Sequence, residues 1–452
     1  MKSVGPLVEE IKKYVGHKDF HSLRRLIEGL SAPDIADVLL ELNDTERFIV
    51  FRILPRELAS EVFALLDPKY RDEIILSLST DETKRLLADL RPDDRTELFD
   101  ELPGQVVQRL LNLLSPEDLV EAKQLLGYPA ESVGRIMTPD YIAVRPYWTV
   151  ERGLRHVRSM GRLAETINDI YVVDDSWVLL DALEIRKMIL AEPDQKIEEL
   201  MDHRFVSIRE TADREQAVQL IQRYNLDSLP VVDSSGVLLG IVTVDDIMDV
   251  AEEEVTEDFH KSAAIAPLHM SYRDLGVTSL YSKRVTWLLM LVILNIVSSG
   301  IIAAFEKTLA SVIALAYFIP LLIDSGGNVG SQSATIIIRS MATGEIKLRQ
   351  WLQTLTKEIL VGASLGITLG ICASMVGLYR GGWRIGLVVG ISMFLIVVFA
   401  NLVGAFLPFF LARMRLDPAA ASSPLVTTLA DILGLAIYFS VANLLLNALG
   451  AL

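Results

Sequence analysis

Cysteine is almost absent from this sequence, and charge is scarce in its last third. Cys372 is the only cysteine among 452 residues, so a single chain can form neither a disulfide nor a zinc site built on several thiolates. Residues 284–452 hold 6 acidic and 10 basic residues, whereas residues 1–283 hold 53 and 33. The chain therefore combines an acidic soluble region with an apolar region. The acidic region argues against nucleic acid as a partner, because phosphates would be repelled, and it favours cations.

Residues 1–16 contain no apolar stretch of signal-peptide length and carry charges of both signs. We therefore expect no export signal, and we expect the soluble region to stay in the cytosol. Catalytic patterns are missing as well, since His203 and His260 have no nucleophile pattern beside them. An enzyme is not expected.

The first part of the chain has a regular leucine repeat. A leucine recurs at every twelfth position from 30 to 126: Leu30, Leu42, Leu54, Leu66, Leu78, Leu90, Leu102, Leu114 and Leu126. Helix-start signals follow many of these leucines, as in Ser31–Asp34 and Ser115–Asp118. Residues 1–128 are thus predicted to form an α-helical superhelical repeat domain of short stacked helices. An ordinary irregular helical domain is the alternative.

The next segment contains an internal duplication. Ile136–Thr138 matches Leu200–Asp202 at an offset of 64, and Val172–Asp174 matches Val231–Asp233 at a somewhat shorter offset. Each copy is predicted to form a strand, a helix, a strand, a turn, a strand and a helix. This duplication resembles the cystathionine-beta-synthase (CBS) domain pair, an α+β module that commonly senses nucleotides or ions. We assign residues 129–250 to it.

The second copy carries a candidate nucleotide motif. The stretch from Gly240 to Asp246 resembles the ribose and phosphate motif G-x-x-T-x-x-D of that module, so Gly240, Thr243 and Asp246 are candidate ligands for a nucleotide such as ATP. The corresponding stretch of the first copy, Asp181–Glu184, lacks the motif. The alternative is that Thr243 only caps a helix at the end of a strand.

Residues 284–452 are predicted to be a membrane domain of five helices, since five apolar stretches are long enough to cross a hydrocarbon core. They are Val285–Phe305, Thr308–Ile338, Ile359–Tyr379, Ile385–Leu411 and Pro424–Leu449. With the N-terminal region in the cytosol, most of the basic residues between the spans lie inside, as the positive-inside rule requires. We expect a multi-pass protein of the inner (plasma) membrane, in contact with lipid.

Two carboxylates, Asp324 and Asp431, lie within or near these spans. An ionisable residue at membrane depth usually faces a water-filled path or a partner. Thr427 and Thr428 lie on the helical face of Asp431, and an interhelical hydrogen-bond cluster is the alternative reading of these hydroxyls. The glycine-rich stretch from Asp324 to Gln332 predicts either a helix broken beside a cavity or close helix packing.

In its order of domains the whole chain resembles the MgtE family of magnesium channels. The most specific matches are Pro320 with the stretch 326–332, and Asp417–Ala419 followed by Pro424, Thr427 and Asp431. The resemblance implies a homodimer that takes up magnesium, with Asp431 as the pore carboxylate on the two-fold axis. Asn328 and Thr427 are expected beside it. Magnesium keeps its hydration shell and accepts few direct ligands, which suits such a pore.

Between the CBS pair and the first span, residues 251–283 are predicted to form an acidic connecting helix. The resemblance implies feedback closure, and our hypothesis is that cytosolic magnesium bridges carboxylates that otherwise repel one another. The candidate regulatory ligands are Asp93, Asp94, Asp213, Glu215, Asp246, Asp249, Glu254, Glu257, Asp258 and Asp417. For any one of them, the alternative is an acidic surface in contact with water and without a bound ion.

Two other functions compete with magnesium transport. In a membrane-anchored nucleotide sensor the spans would only tether the CBS pair, and such a tether needs neither Asp431 nor the stretch from Asp324 to Gln332. A CBS-regulated carrier of an anion is disfavoured by the acidic path. Selectivity among divalent ions does not follow from the residues.

Overall fold

The computed structural model describes residues 4–268 and 275–449, which divide into two units, Met1–Glu253 and Glu254–Leu452. The first unit begins with short helices: α1 (Val4–His17), α2 (Phe20–Ile27), α3 (Ala32–Leu40), α4 (Asp44–Ile53), α5 (Arg56–Ala64), α6 (Pro68–Ser77), α7 (Thr80–Asp89), α8 (Pro92–Glu101), α9 (Gly104–Leu111) and α10 (Pro116–Leu125). From α3 to α10 the helices begin at a constant spacing, which equals the spacing of the leucines. The predicted helical repeat is therefore confirmed.

The repeating leucines lie between these helices and seal the domain core. Leu42, Leu54, Leu66, Leu90 and Leu102 are buried, and the remaining leucines of the series pack against the same core. Helices two apart pack together, as α3 does with α5 and α6 with α8. Because each helix has only about two to three turns, it cannot bury its apolar face alone and depends on these neighbours.

Buried arginine residues form a second repeat in this domain, with twice the period of the leucines. Arginine recurs at positions 47, 71 and 95, and each of these side chains is at most 7% exposed. Each guanidinium forms an ion pair with a glutamate two helices further along the chain, as in Arg47 with Glu73 at 2.7 Å, Arg71 with Glu97 at 3.1 Å and Arg95 with Glu121 at 2.5 Å. Each also donates to backbone carbonyls of the preceding helix or turn. The arginine ladder therefore links every second helix.

Replacing one arginine of the ladder should destabilise the first unit. Arg95→Met leaves the carbonyl of Leu87 without its donor and Glu121 without its partner. We expect the free energy of unfolding to fall by about 3 kcal/mol, as for other broken buried ion pairs. Urea unfolding of a fragment comprising residues 1–262 measures the change. The exposed Arg85→Met is the matched control, and an equal loss for both variants would contradict a special role of the ladder.

The CBS pair follows, with two copies of one pattern. The first copy contains α11 (Val133–Ile136), β1 (Ala143–Val144), α12 (Val150–Met160), β2 (Asp169–Val173), β3 (Leu179–Glu184) and α13 (Ile185–Leu190). The second contains β4 (Ile208–Arg209), α14 (Arg214–Tyr224), β5 (Ser228–Val232), β6 (Leu238–Thr243) and α15 (Val244–Ser262). In each sheet the first strand runs parallel to the second and the second antiparallel to the third. The predicted duplication is confirmed.

The second unit contains α16 (Val277–Ala304), the short helix α17 (Glu306–Ser311), α18 (Ile319–Ala342), α19 (Trp351–Arg413) and α20 (Ser423–Ala448), and all of these except α17 are long and apolar. Four segments are long and apolar enough to cross a membrane. One of them, α19, is a hairpin, because Gly382 has a φ of +78° and Gly377 packs on the backbone of Gly386. Its two halves bring the number of apolar helical segments in the described residues to five, which agrees with the predicted five spans.

The stretch from Asp324 to Gln332 does not break the helix, because α18 is continuous through it, and the prediction of a broken helix at depth was wrong. The alternative, close packing through small residues, is what is observed. The acidic connecting segment is helical up to Ser262, residues 269–274 of it lie outside the described residues, and α16 already begins at Val277.

Candidate cation path and acidic regulatory sites

The candidate path starts from the contact between α18 and α20. A Cβ atom at Gly327 would lie 2.8 Å from Cγ2 of Thr427 and 3.6 Å from Oδ1 of Asp431, so only glycine lets the two helices approach this closely. Thr427 and Asp431 are one turn apart on α20 and face this contact together. Of the predicted pore residues, Thr427 and Asp431 are thus brought together by the fold.

The hydroxyl groups near this contact are already hydrogen-bonded. Thr427 Oγ1 lies 3.0 Å from Ser331 Oγ, which also receives a hydrogen bond from Ser423 at 3.0 Å. The hydroxyl of Thr428 donates to the carbonyl of Pro424 at 2.9 Å. The interhelical hydrogen-bond cluster considered for the hydroxyls is therefore present at Thr427, whereas the hydrogen bond of Thr428 stays within α20. Asp431 differs from them, because its Oδ1 is buried and has no hydrogen-bond partner among the described residues.

A polar strip on α18 continues from this contact to the exposed surface. Asn328 directly follows Gly327 and is exposed, and Asp324, one turn earlier, is exposed too. Exposed polar groups in the middle of an apolar helix need water or a protein partner to satisfy them in a membrane. This edge of the unit is therefore polar where lipid would be expected.

A further carboxylate of the membrane unit, Glu358, was not predicted from the sequence. Glu358 on the first half of α19 accepts hydrogen bonds from Ser333 of α18 at 3.1 Å and from Nδ2 of Asn401 on the second half of α19 at 2.9 Å. Ser333 and Asn401 are buried. Because Ser333, Glu358 and Asn401 lie on three different helical segments, these hydrogen bonds connect the three segments. In the sequence Glu358 directly follows Lys357 at the edge of an uncharged run, and only Asn401 lies inside such a run.

The first acidic cluster lies between α8 and α15 in the first unit. Asp93 is the most enclosed member: its Oδ1 is buried without a hydrogen-bond partner, and burial followed by repulsion from Asp246 raises its pKa well above the ordinary value. Burial also raises the pKa of Asp94 and of Asp246 to about 6 each. Glu165 joins them, with a pKa raised to about 7 mainly by burial, although Arg91 pairs with it. The predicted Asp93, Asp94 and Asp246 are thus neighbours, and Glu165 and Arg91 were missed.

Asp249 lies nearly one turn beyond Asp246 on α15. Burial, and then repulsion from Glu97 and Glu252, raise its pKa. The other predicted pair, Asp213 and Glu215, lies at the start of α14, where Oδ1 of Asp213 caps the helix by accepting from the backbone N–H of Glu215 at 2.9 Å. Asp213 therefore has a structural role in this arrangement.

The second acidic cluster belongs to the second unit. Lys261 of α15 donates to Oδ2 of Asp417 at 2.5 Å and pairs with Glu257. Burial alone would lower the pKa of Lys261, but the hydrogen bonds to Asp417 and Glu257 outweigh it and raise the pKa, so the ammonium stays charged. Burial, and then repulsion from Asp417, raise the pKa of Asp258. Glu254 lies one turn earlier on α15, so it shares the helical face of Glu257 and Asp258.

Neither cluster forms a complete metal site in this conformation. Across residues 4–268 and 275–449, no three His, Cys, Asp or Glu side chains are arranged to hold a metal ion. Both clusters hold carboxylates close together: Asp93 lies near Asp246 in the first, and Glu257 and Asp417 share Lys261 beside Asp258 in the second. Both arrangements can take up a divalent cation if their oxygens move closer.

The residues of the candidate nucleotide motif already make contacts within the CBS pair. A Cβ atom at Gly240 would lie 2.7 Å from the carbonyl oxygen of Thr138, so this glycine is required by the pairing of Thr138 with Ile241. Thr243 donates to Asp246 at 2.5 Å at the start of α15. In the first copy the buried Asp181 accepts from the backbone N–H groups of residues 182, 202 and 203. The first copy therefore uses its carboxylate structurally.

These features define a class of protein: a multi-span membrane protein with a carboxylate at a helix contact inside its apolar unit, joined to an acidic region that contains a CBS pair. Such an architecture suits cation transport. Three family models match: a divalent cation transporter over residues 319–441, an MgtE intracellular N domain over residues 30–131 and a CBS domain over residues 197–253.

The magnesium transporter MgtE of Thermus thermophilus is 41% identical over 98% of this chain and 99% of its own length. The magnesium transporter MgtE of Bacillus subtilis is 36% identical over 72% of each chain. The chain belongs to the MgtE family, which confirms the resemblance noted in the sequence.

Two solved structures are similar to the soluble region. The cytosolic domain of the Mg²⁺ channel MgtE in complex with ATP has a TM-score of 0.52 and 34% identity, covering 54% of this chain and 99% of that one. The soluble part of a magnesium transporter has a TM-score of 0.52 and 26% identity, covering 56% of this chain and 99% of that one.

Proposed function

We propose that this protein transports magnesium through a path beside Asp431. The observation that carries the proposal is the buried Oδ1 of Asp431, which has no hydrogen-bond partner among the described residues although it lies in an apolar helix. A carboxylate in such a place is stabilised by a cation or by the water around one. Magnesium suits it, because this ion keeps most of its hydration shell and binds through one or two carboxylates. The relatives named magnesium transporters support the same ion.

The path is completed by a second copy of the chain. Asp324 and Asn328 are exposed on an apolar helix, and a homodimer would turn both polar strips toward a shared water-filled axis. The protein lies in the inner membrane with its N-terminal region in the cytosol, which the distribution of basic residues favours. Transport, and not catalysis, is its activity.

Ion flux into proteoliposomes tests this proposal. Purified protein in vesicles loaded with a magnesium-sensitive dye should give magnesium entry along a gradient, and protein-free vesicles should not. Competition by manganese, cobalt and nickel then measures the selectivity among divalent ions. The absence of magnesium entry with a correctly inserted protein would refute the proposal.

Magnesium also acts as the regulator in our proposal. At high cytosolic concentration the ion would bridge Asp93 to Asp246 in the first cluster and Glu257 and Asp258 to Asp417 in the second. The other predicted ligands add negative charge along α8, α14 and α15: Asp94, Asp213, Glu215, Asp249 and Glu254. Ion binding that is tighter in the closed arrangement shifts the population toward closure.

The Asp93→Asn variant tests the first cluster. The folded state raises the pKa of Asp93, so ionisation disfavours folding once the pH exceeds the ordinary aspartate value. At neutral pH without magnesium, the free energy of unfolding of fragment 1–262 is expected to be about 1–3 kcal/mol larger for the variant than for the wild type. Excess magnesium should stabilise the wild type and have less effect on the variant. Asp37→Asn, at an exposed position, is the control, and the same magnesium response in Asp93→Asn and the wild type would contradict the site.

We further propose that the second CBS copy binds a nucleotide. The relative crystallised with ATP supports this, and Thr243 and Asp246 retain the motif. Thr243→Val is expected to weaken ATP binding about tenfold by calorimetry, since it removes one hydroxyl that can hold the ribose. Thr149→Val, at a helix cap of the first copy, is the control. Unchanged affinity in Thr243→Val would leave Thr243 with its capping role alone.

A further inference from the structure

The two halves of the α19 hairpin enclose a lengthwise groove on their outer surface. It has a volume of about 500 Å³ and is open along its outer side. Gly370 and Gly390 form its floor, and apolar side chains including Ile371, Met375 and Ile391 form its walls. A Cβ atom at Gly370 would lie 3.0 Å from the carbonyl oxygen of Gly390, so the floor is a close contact of two backbones.

The walls of the groove are not covered by the rest of the described chain. Ile371 is 53% exposed, Met375 63% and Ile391 38%. An apolar furrow this open, in a segment that spans a membrane, borders on lipid chains or on another protein. The groove therefore needs an occupant of extended apolar shape.

One end of the groove carries the residues of a membrane interface. Leu378 and Leu387 line this end, and Arg380 and Arg384 follow within one turn on either side of the hairpin turn. Tyr379 and Trp383 are exposed at the same level, and the guanidinium of Arg384 lies 5.6 Å from the ring centroid of Trp383. Tyrosine and tryptophan are enriched at the depth of lipid headgroups.

The positive charge at this end of the groove has no counter-ion in the described part of the chain. Arg380 and Arg384 form no ion pair with the described residues, and no acidic residue occurs between Glu358 and Asp417. Two exposed guanidinium groups are suited to a phosphate, which arginine holds through paired hydrogen bonds.

We infer that the α19 hairpin binds one anionic phospholipid, with its phosphate on Arg380 and Arg384 and an acyl chain along the Gly370–Gly390 groove. A second copy of the chain fits this surface less well. Copies in one membrane share an orientation, so an interface here would bring four arginines together at the same depth. The inference does not depend on which ion the protein transports.

The single cysteine provides the probe. Cys372 is exposed and lies beside the groove-lining Ile371. We propose to label it with bimane and to reconstitute the protein in phosphatidylcholine vesicles containing brominated lipid, which quenches nearby fluorophores. Brominated phosphatidylglycerol is expected to reach half-maximal quenching at a several-fold lower mole fraction than brominated phosphatidylcholine.

Variants separate the headgroup contact from general lipid contact. Arg380→Gln combined with Arg384→Gln should abolish the preference for phosphatidylglycerol, whereas changing both residues to lysine should retain it. Arg413→Gln combined with Arg415→Gln, near the other end of the hairpin, is the matched control and should retain it as well. Equal quenching by both lipids in the wild type would overturn the inference. Weak quenching by both lipids would overturn it too, because it would mean that another protein surface covers the groove.

Discussion

Magnesium entry should fall at least about tenfold when Asp431 is replaced by asparagine, a loss equal to about 1.4 kcal/mol or more. Asparagine has nearly the same shape, so the contact of α20 with Gly327 is preserved while the charge is removed. The unpartnered Oδ1 of Asp431 lies where a low dielectric strengthens its interaction with a cation. Flux into dye-loaded proteoliposomes measures the change, with equal amounts of inserted protein.

Two adjacent threonines on the same helix provide a matched control for that experiment. Thr427 faces Ser331 across the α18 contact, whereas Thr428 is buried and donates to the carbonyl of Pro424. Thr427→Val is expected to reduce flux moderately, and Thr428→Val is expected to have less effect. If Asp431→Asn conducts as well as the wild type, the carboxylate is not part of the path and the transport proposal loses its main support.

The helical repeat could be predicted because its cause is local. A leucine and a capping residue at regular positions set where each helix ends and the next begins, and no distant contact is needed. The CBS pair could be predicted for a related reason, since its second copy repeats the pattern of the first. The arginine ladder was missed although it is equally periodic. Arg71 lies on α6 and Glu97 on α8, and only the packing of alternate helices brings them together.

In the membrane unit, helix propensity alone did not predict the course of α18. Two adjacent glycines weaken an isolated helix, which is why a break near Gly326 was predicted. In the folded unit the same glycines let α18 lie against Ile396 and Thr427, and this packing outweighs their low helix propensity. The Glu358 cluster was hidden for a similar reason, because its donors come from two other helical segments.

Lys261→Gln should make the protein more sensitive to cytosolic magnesium. The ammonium now holds Asp417 and Glu257, two of the carboxylates that we propose as ligands of the regulatory ion. An ion entering this cluster must displace it or bind beside a positive charge. Removing that charge should lower the magnesium concentration that halves the flux by roughly tenfold. The measurement is flux at a series of magnesium concentrations on the side of the soluble region.

Lys283→Gln supplies the comparison, because Lys283 lies in the first two turns of α16 and donates to the carbonyl of Pro267 and not to a carboxylate. It removes the same charge and should leave the midpoint nearly unchanged. The direction of the Lys261 shift decides between two roles of the lysine. A lower midpoint means that the ammonium competes with magnesium for the carboxylates. A higher midpoint would mean that Lys261 itself holds the closed arrangement, and our account of the second cluster would be wrong.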